Sequence, residues 1–109
     1  MYNNSGINRA FLVGTIKNDA IWSVADGTFM LSFLLTTTEI FKKNGVDVEH
    51  NEDHNIAVPQ KIAQMELASF LKGMLLSVEG KIQTSSRLDD SNIRRYRVEI
   101  LVNKVQTLK

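Results

Sequence analysis

Two stretches of alternating apolar and polar residues, joined by a short polar segment, constrain this chain more than any other feature. Their apolar positions are Leu76, Val78 and Ile82 in the first stretch, and Tyr96, Val98, Ile100 and Val102 in the second. A period of two is typical of a β-strand with one buried face. The intervening Leu-Asp-Asp-Ser-Asn favours a turn, because Asp and Asn side chains bond nearby backbone groups. The pattern therefore predicts a long antiparallel hairpin.

The tip and polar face of this hairpin are unusually cationic. The cations are Lys81, Arg87, Arg94, Arg95 and Arg97. Such a face fits phosphate binding, but charges on an exposed strand also protect its edge from aggregation. The acidic segment from Asp47 to Asp53 would repel a phosphate chain. A nucleic acid would therefore avoid that segment, unless a basic patch on another subunit neutralised it.

Composition limits the class of protein. With 109 residues the chain supports one domain, which we place at residues 7–109 after a polar leader at residues 1–6. Its net charge of +1 announces no nucleic-acid binder by itself. It lacks cysteine, an apolar run long enough to span a membrane and a secretory leader. We expect a soluble cytoplasmic protein without disulfides or membrane contact.

The first half of the chain also predicts strands. An apolar run from Ile7 to Ile16 is interrupted by Gly14, and Asp26-Gly27 is typical of a tight hairpin turn. A central strand follows from Thr28 towards Phe41. A short strand then ends at Pro59, which cannot donate a ladder hydrogen bond.

The period changes between Gln60 and Leu71. Ala63, Leu67 and Phe70 follow helical spacing, and Lys72-Gly73 supplies a stop signal. The order is therefore three strands, one helix and two strands. This connectivity predicts an all-β fold, the five-stranded Greek-key barrel called the OB-fold, with one α-helix between strands 3 and 4. A meander-plus-helix α+β sandwich is the competing architecture.

The two histidines raise the possibility of a metal site. His50 and His54 stand four residues apart among Glu49, Glu52 and Asp53, a spacing that on a helix would place both rings on one face. Gly45 and the nearby asparagines instead indicate a solvated loop between strands. The sequence shows no nucleophile–base pair, phosphate-binding glycine loop or paired catalytic carboxylates. We therefore expect no enzyme, cofactor or metal.

Several segments together resemble the bacterial single-stranded DNA-binding proteins. Residues 8–14 (NRAFLVG) are similar to the opening strand of that family, and residues 33–37 (FLLTT) to its second. Residues 70–73 with 78–82 are similar to its helix end and fourth strand, and Arg95-Tyr96 begins a segment similar to its fifth. The likeness spans about residues 7–108.

The resemblance implies sequence-nonspecific binding of single-stranded DNA in replication, recombination or repair. Aromatic side chains would stack on bases and cations would contact phosphates. Phe41 matches an aromatic platform of the family. The positions that match or neighbour its phosphate-contacting cations are Lys42, Lys43, Lys61 and Lys72. Three usual aromatic positions are occupied here by Asp53, Pro59 and Arg87.

Other side chains could replace the missing platforms. Arg87 could stack through its guanidinium plane. Trp22 lies outside the central strand's alternation and is either an exposed platform or a core or interface residue. Five other aromatic residues are expected to pack in the core: Phe11, Phe29, Phe33, Phe70 and Tyr96.

The resemblance also implies a homo-oligomer, more often a tetramer than a dimer, paired through the first strand. The acidic tail by which the family recruits replication proteins does not follow Lys109 in this sequence. Either the sequence is truncated or no partner is recruited that way. A protein resembling primosomal protein B, a tail-less OB relative, is the alternative. A protein-assembly subunit with a decayed DNA-binding face is another.

Overall fold

The computed structural model describes residues 5–25, 27–65 and 70–108, and the side chains of Ala25, Met65 and Arg87 lie outside that description. Within these residues the chain forms six strands and one short helix. In chain order they are β1 (Ala10–Ile16), β2 (Ile21–Ala25), β3 (Thr28–Lys43), β4 (Val46–Pro59), α1 (Gln60–Met65), β5 (Leu75–Leu88) and β6 (Arg94–Thr107).

Five of the strands form a closed ring. The sheet order is β1-β5-β6-β4-β3-β2, and an additional pairing between β1 and β3 closes the barrel. All ring pairings are antiparallel except β4–β6, which is parallel. This arrangement confirms the predicted OB-fold. The strand count is six rather than five because β2 forms a separate edge strand on β3.

Two hairpins continue beyond the barrel as projecting arms. The first arm comprises residues 37–43 and 46–52, and the second arm comprises residues 83–88 and 94–99. Within each arm the strands pair only with one another among the described residues. The parallel β4–β6 pairing is limited to Ile56 with Ile100 and Ala57 with Leu101. Because both arms lie upstream of it, both leave the same end of the barrel.

The core lies inside the barrel and follows the predicted alternation. Leu31, Phe33 and Leu35 of β3 are buried, as are Ile100 and Val102 of β6. Phe33 stacks on Phe70, with ring centroids 5.8 Å apart and planes 27° apart. This contact fixes the segment after α1 against the sheet and confirms the packing role predicted for both rings.

Gly80 is required by a close approach between β5 and β6. A β-bulge lies between Glu79 and Gly80. A Cβ atom at Gly80 would collide with the Leu101 carbonyl group. The absence of a side chain therefore allows the second arm to leave the barrel at this point.

Two local predictions need correction. The acidic segment predicted as a loop is part of β4, and the turn is confined to Asn44 and Gly45, which both have positive φ. Fourteen residues of β4 align with β3 without a register shift, so cross-strand pairing overrides the loop-like composition. The predicted helix ends earlier than Leu71, because α1 is described to Met65 and Phe70 is already non-helical. Leu67 lies outside the described residues.

No helix among the described residues is both long and apolar enough to cross a membrane.

Candidate nucleic-acid interface

Phe41 lies near the end of the first arm, directly opposite Val48. Its side chain is 46% exposed. Phe41 has the same parity as Phe33 and Leu35. It therefore lies on the side of β3 that, in the earlier part of the strand, faces the core. We call this side of each arm the inner side, and the opposite side the outer side. Phe41 is therefore an accessible ring on the inner side of the first arm.

The two lysines beside Phe41 lie on different sides of this arm. Lys43 shares the inner side with Phe41, whereas Lys42 lies on the outer side opposite Asp47. The Lys42 Nζ and Asp47 Oδ1 atoms are 3.2 Å apart. Lys43 has no ion pair with a described residue. Of these two lysines, only Lys43 can therefore contact a phosphate beside Phe41 without first breaking an ion pair.

The arginines of the second arm are also divided. Lys81, Arg95 and Arg97 lie on its outer side or at its base, whereas Arg94 lies opposite Leu88 on the inner side. The backbone of Arg87 pairs with Arg95, which places Arg87 on the outer side, although its side chain lies outside the described residues. The cations predicted for the tip and polar face therefore do not all share one side, because the alternation of the strand places Arg94, next to the tip, on the inner side.

The arginines on the outer side of the second arm form ion pairs with carboxylates. Arg95 Nε donates to Asp89 Oδ2 at 2.9 Å, and Arg97 Nη2 lies 3.6 Å from Glu99 Oε2. Asp89 also accepts hydrogen bonds from the backbone N–H groups of Ser91 and Ile93, both at 2.9 Å. The hydrogen bond from Ile93, followed by that from Arg95, lowers the pKa of the Asp89 carboxyl below its usual value of 3.8. Arg95 thus helps to hold the turn.

Lys61 and Lys72 lie at the other end of the barrel from the arms. Lys61 follows the end of β4 in α1, and Lys72 precedes the start of β5. The arms are formed by the start of β4 and the end of β5. The structure therefore does not bring these two exposed lysines together with Phe41, and sequence spacing could not have revealed the separation.

Trp22 is an exposed aromatic residue on the edge strand. It pairs with Leu31 and its side chain is 53% exposed. Burial in the core of this chain is therefore not its role. Trp22 lies on the part of β3 remote from the first arm, so the structure does not place it beside Phe41.

Three of the aromatic residues predicted to pack in the core do not. Phe11 is 66% exposed, Tyr96 is 71% exposed, and Phe29 is also exposed. Each of the three belongs to an alternating apolar and polar pattern. Such a pattern identifies a strand but does not show which of its residues lie outside the barrel core. Phe29 precedes the first residue of β3 that pairs with β4, and Tyr96 lies on the second arm. Phe11 lies on the outward side of β1, opposite Glu79.

Asp53 takes part in an ion pair that the sequence did not predict. Its carboxylate accepts hydrogen bonds from Lys17 Nζ at 2.5 Å and from Thr36 Oγ1 at 2.7 Å. These bonds, that from Lys17 first, lower the pKa of the Asp53 carboxyl below its usual value of 3.8. Asp53 thus neutralises Lys17. Lys17 and Asp53 are 36 positions apart, so no local signal could have found the pair.

Two clefts flank β4. The first, of about 190 Å³, lies on the outward side of the barrel between Leu34, Asn55 and Arg97. The second, of about 250 Å³, lies where β4 and β6 diverge at the base of the arms. Its lining includes His54, Ile82, Val98 and Glu99. Glu99 is buried and accepts a hydrogen bond from Gln83 Nε2 at 3.2 Å.

The histidines are engaged in polar contacts within the sheet. His50 Nε2 lies 2.8 Å from Glu52 Oε1, and His54 Nε2 lies 2.9 Å from Thr37 Oγ1. In the described parts of the chain no three His, Cys, Asp or Glu side chains are grouped so that they could hold a metal ion. The helical geometry that would give the four-residue spacing its meaning is replaced by a strand.

A model of the single-strand binding protein family matches residues 7–108 of this sequence. The chain belongs to this family. The resemblance inferred from the strand motifs is thereby confirmed. The family is one of non-enzymatic DNA-binding proteins.

Among curated relatives, the single-stranded DNA-binding protein of Bacteroides thetaiotaomicron is 33% identical over 106 residues, which cover 94% of this chain and 66% of that protein. That of Neisseria meningitidis serogroup A is 29% identical over 104 residues, covering 94% of this family member and 60% of the relative. The chain thus spans less than two thirds of the length of either relative.

Solved structures show the same fold. The Plasmodium falciparum SSB, in a structure described as a complex with ssDNA, superposes with a TM-score of 0.76 at 21% identity and covers 99% of this chain and 100% of that one. A deletion mutant of the single-stranded DNA-binding protein from Thermus aquaticus superposes with a TM-score of 0.74 at 23% identity, covering 95% of this chain and 51% of that one.

Proposed function

We propose that this protein binds single-stranded DNA without sequence specificity, by base stacking and phosphate contacts, in DNA replication, recombination or repair. The observation that carries the proposal is the accessible ring of Phe41, with Lys43 two residues away on the same side of a projecting arm. Stacking accepts any base, because every base has a π-face. Family membership supports the same function.

The distribution of charge predicts moderate rather than strong binding. Lys17, Lys42 and Arg95 are all held by carboxylates. A phosphate must displace a carboxylate to use any of them. Each lost aromatic platform removes about 1–3 kcal/mol of stacking free energy. Phe41 and the cations without a carboxylate partner among the described residues, such as Lys43, therefore supply most of the attraction for DNA.

Fluorescence anisotropy of a labelled oligo-dT tests this function. We expect saturable binding whose log affinity falls with log salt concentration at about −0.7 per phosphate contact. Unlabelled single strands should compete, and a duplex of equal length should compete poorly. The proposal fails if no salt-sensitive binding is detected at low ionic strength.

We also propose that the protein acts in the cytoplasm as a homo-oligomer, with a tetramer favoured over a dimer. An apolar patch on the outward side of β1 and β5 supports a subunit contact. Phe11, Val13 and Leu75 share this side and are all exposed. Burial of such a patch in an interface stabilises an oligomer by removing apolar surface from water. Sedimentation of the wild type and of Phe11→Glu measures the oligomeric mass, which the variant should reduce.

The same patch also favours a second candidate, a protein-assembly module that does not need its DNA-binding face. Oligo-dT titration separates the two candidates. An oligomer that lacks salt-sensitive binding to oligo-dT would support the assembly module.

A further inference from the structure

The second arm presents an exposed ring on its inner side, as the first arm does. Tyr96 has the parity of Ile100 and Val102, both of which are buried further along β6. The register between the strands is continuous from Gly80 to Leu88, so this parity holds along the whole arm. Phe41 and Tyr96 therefore both lie on surfaces that continue the barrel interior. The two arms leave the barrel from the same end.

Arg94 is the available cation beside Tyr96. It lies two residues away on the same side, and its Nη1 donates to Ser86 Oγ at 2.9 Å. This neutral hydroxyl is its polar partner among the described residues. On the outer side, by contrast, Arg95 and Arg97 are held by Asp89 and Glu99. A phosphate can approach Arg94 without displacing an anion.

The inner side of the second arm is also free of acidic side chains. Its members within the described arm are Thr84, Ser86, Leu88, Arg94, Tyr96 and Val98. The first arm is less favourable, because Glu39 and Glu52 lie on its inner side with Phe41. Glu52 Oε1 lies 2.8 Å from His50 Nε2, but the carboxylate still lies on the side where a phosphate would bind. Charge complementarity to a polyanion is thus greatest on the second arm.

The strip continues to the base of the arm. Ile82 and Val98 are exposed and line the cleft of about 250 Å³ between β4 and β6. Asp53 and Glu99 also line this cleft, and their carboxylates are held by Lys17 and by Gln83 with Arg97 respectively. The apolar part formed by Ile82 and Val98, next to an aromatic ring, suits the flat face of a base.

We propose that Tyr96 is a base-stacking platform and that Arg94 contacts the adjoining phosphate, so that the inner side of the second arm is a binding site for a single strand. This inference rests on the proposed function.

Anisotropy titrations of labelled oligo-dT with the full chain test the site. Tyr96→Ala should weaken binding by about 5- to 100-fold, whereas Tyr96→Phe should retain it. Arg94→Ala should reduce the salt slope by about 0.7. Arg95→Ala, on the same strand but on the outer side, is the matched control and should change the affinity less than Tyr96→Ala. Circular dichroism and thermal melting verify folding, which the exposed Tyr96 should not affect.

The outcomes separate the site from the function. Absence of binding by the wild type overturns the proposed function and this site with it. Wild-type binding that Tyr96→Ala leaves unchanged overturns the site alone. Equal losses in Tyr96→Ala and Arg95→Ala also overturn it, because they show no preference for the inner side. If Tyr96→Ala changes the oligomeric mass but not the affinity, the strip binds a second copy of the chain and the proposal is wrong.

Discussion

Lys17 and Asp53 form an ion pair on the outward side of β3 and β4, with Lys17 Nζ 2.5 Å from Asp53 Oδ2. Thr36 donates a second hydrogen bond to the same carboxylate. The pair occupies the base of the first arm, where Asp53 lies directly opposite Thr36. A cation that could meet a phosphate is thus held by an anion that would repel it.

Removing this anion should strengthen DNA binding. We expect Asp53→Asn to raise the affinity for oligo-dT about two- to fivefold at low salt, because Lys17 is released and a repulsive charge is lost. The salt slope should become steeper at the same time. Titrations at two salt concentrations measure both effects.

Glu79→Gln provides the matched control. It removes the same charge and releases Arg9, which lies 2.8 Å from Glu79 on the β1–β5 surface. An equal gain in both variants would show that only net charge matters, and would contradict a specific effect of Lys17.

Removing the ring of Phe41 should weaken binding. We expect Phe41→Ala to lower the affinity for oligo-dT by about 5- to 100-fold with little change in the salt slope, since stacking is lost and charge is retained. Ile40→Ala is the control, because Ile40 is an exposed apolar residue on the outer side of the same arm. Equal affinities of Phe41→Ala and the wild type would remove Phe41 from the site.

A side chain at Gly80 should destabilise the barrel. Gly80→Ala places a Cβ atom against the backbone of Leu101, so one strand must shift. We expect a loss of about 1–3 kcal/mol in the free energy of unfolding, as in other overpacked sites. Urea denaturation measures it. Gly6→Ala has open space around the new atom and should leave the midpoint unchanged; a similar loss in both variants would refute the steric explanation.

Acid should weaken the fold through Asp53 and Asp89. Both carboxyl groups have pKa values lowered by hydrogen bonds in the folded state, chiefly from Lys17 and from the Ile93 N–H respectively. Their contribution to stability is therefore complete above the unfolded pKa and is lost as the pH falls through the lower, folded pKa. Urea midpoints at pH values between about 7 and 3 should fall for the wild type and fall less for Asp89→Asn. Parallel curves for the two proteins would contradict the assignment to Asp89.

The sequence predicted the barrel because its core strands are regular. Leu31, Phe33 and Leu35 alternate with less buried residues, and Gly14 and Gly80 occur where strands approach closely. The sequence did not predict how far the hairpins extend past the barrel. Tyr96 and Ile100 have the same parity, yet one is exposed and the other buried. The period of two shows which residues share one side of a strand. It does not show whether other residues of the protein cover that side.

The candidate site was predicted in part. The family resemblance indicated Phe41, and its ring is exposed in the structure. The pairing of cations did not, because Lys17 with Asp53 and Arg97 with Glu99 depend on strand register and side-chain direction. The acidic segment of β4 was misjudged for a related reason. Its polar residues are compatible with a strand whose partner, rather than its own composition, holds it in place.

The parallel bridge between β4 and β6, only two residue pairs long, joins the bases of the two arms. At roughly 3.3 Å per residue, the second arm extends about 20 Å beyond it, from Ile100 to Arg94, and the first arm about 33 Å, from Ile56 to Val46. A rotation of about 10° at the bridge would therefore displace the tip of the second arm by about 3–4 Å, approximately the spacing of stacked bases. A small change of twist at Ile56 and Ala57 would thus be amplified at the exposed rings of Phe41 and Tyr96, as by a lever.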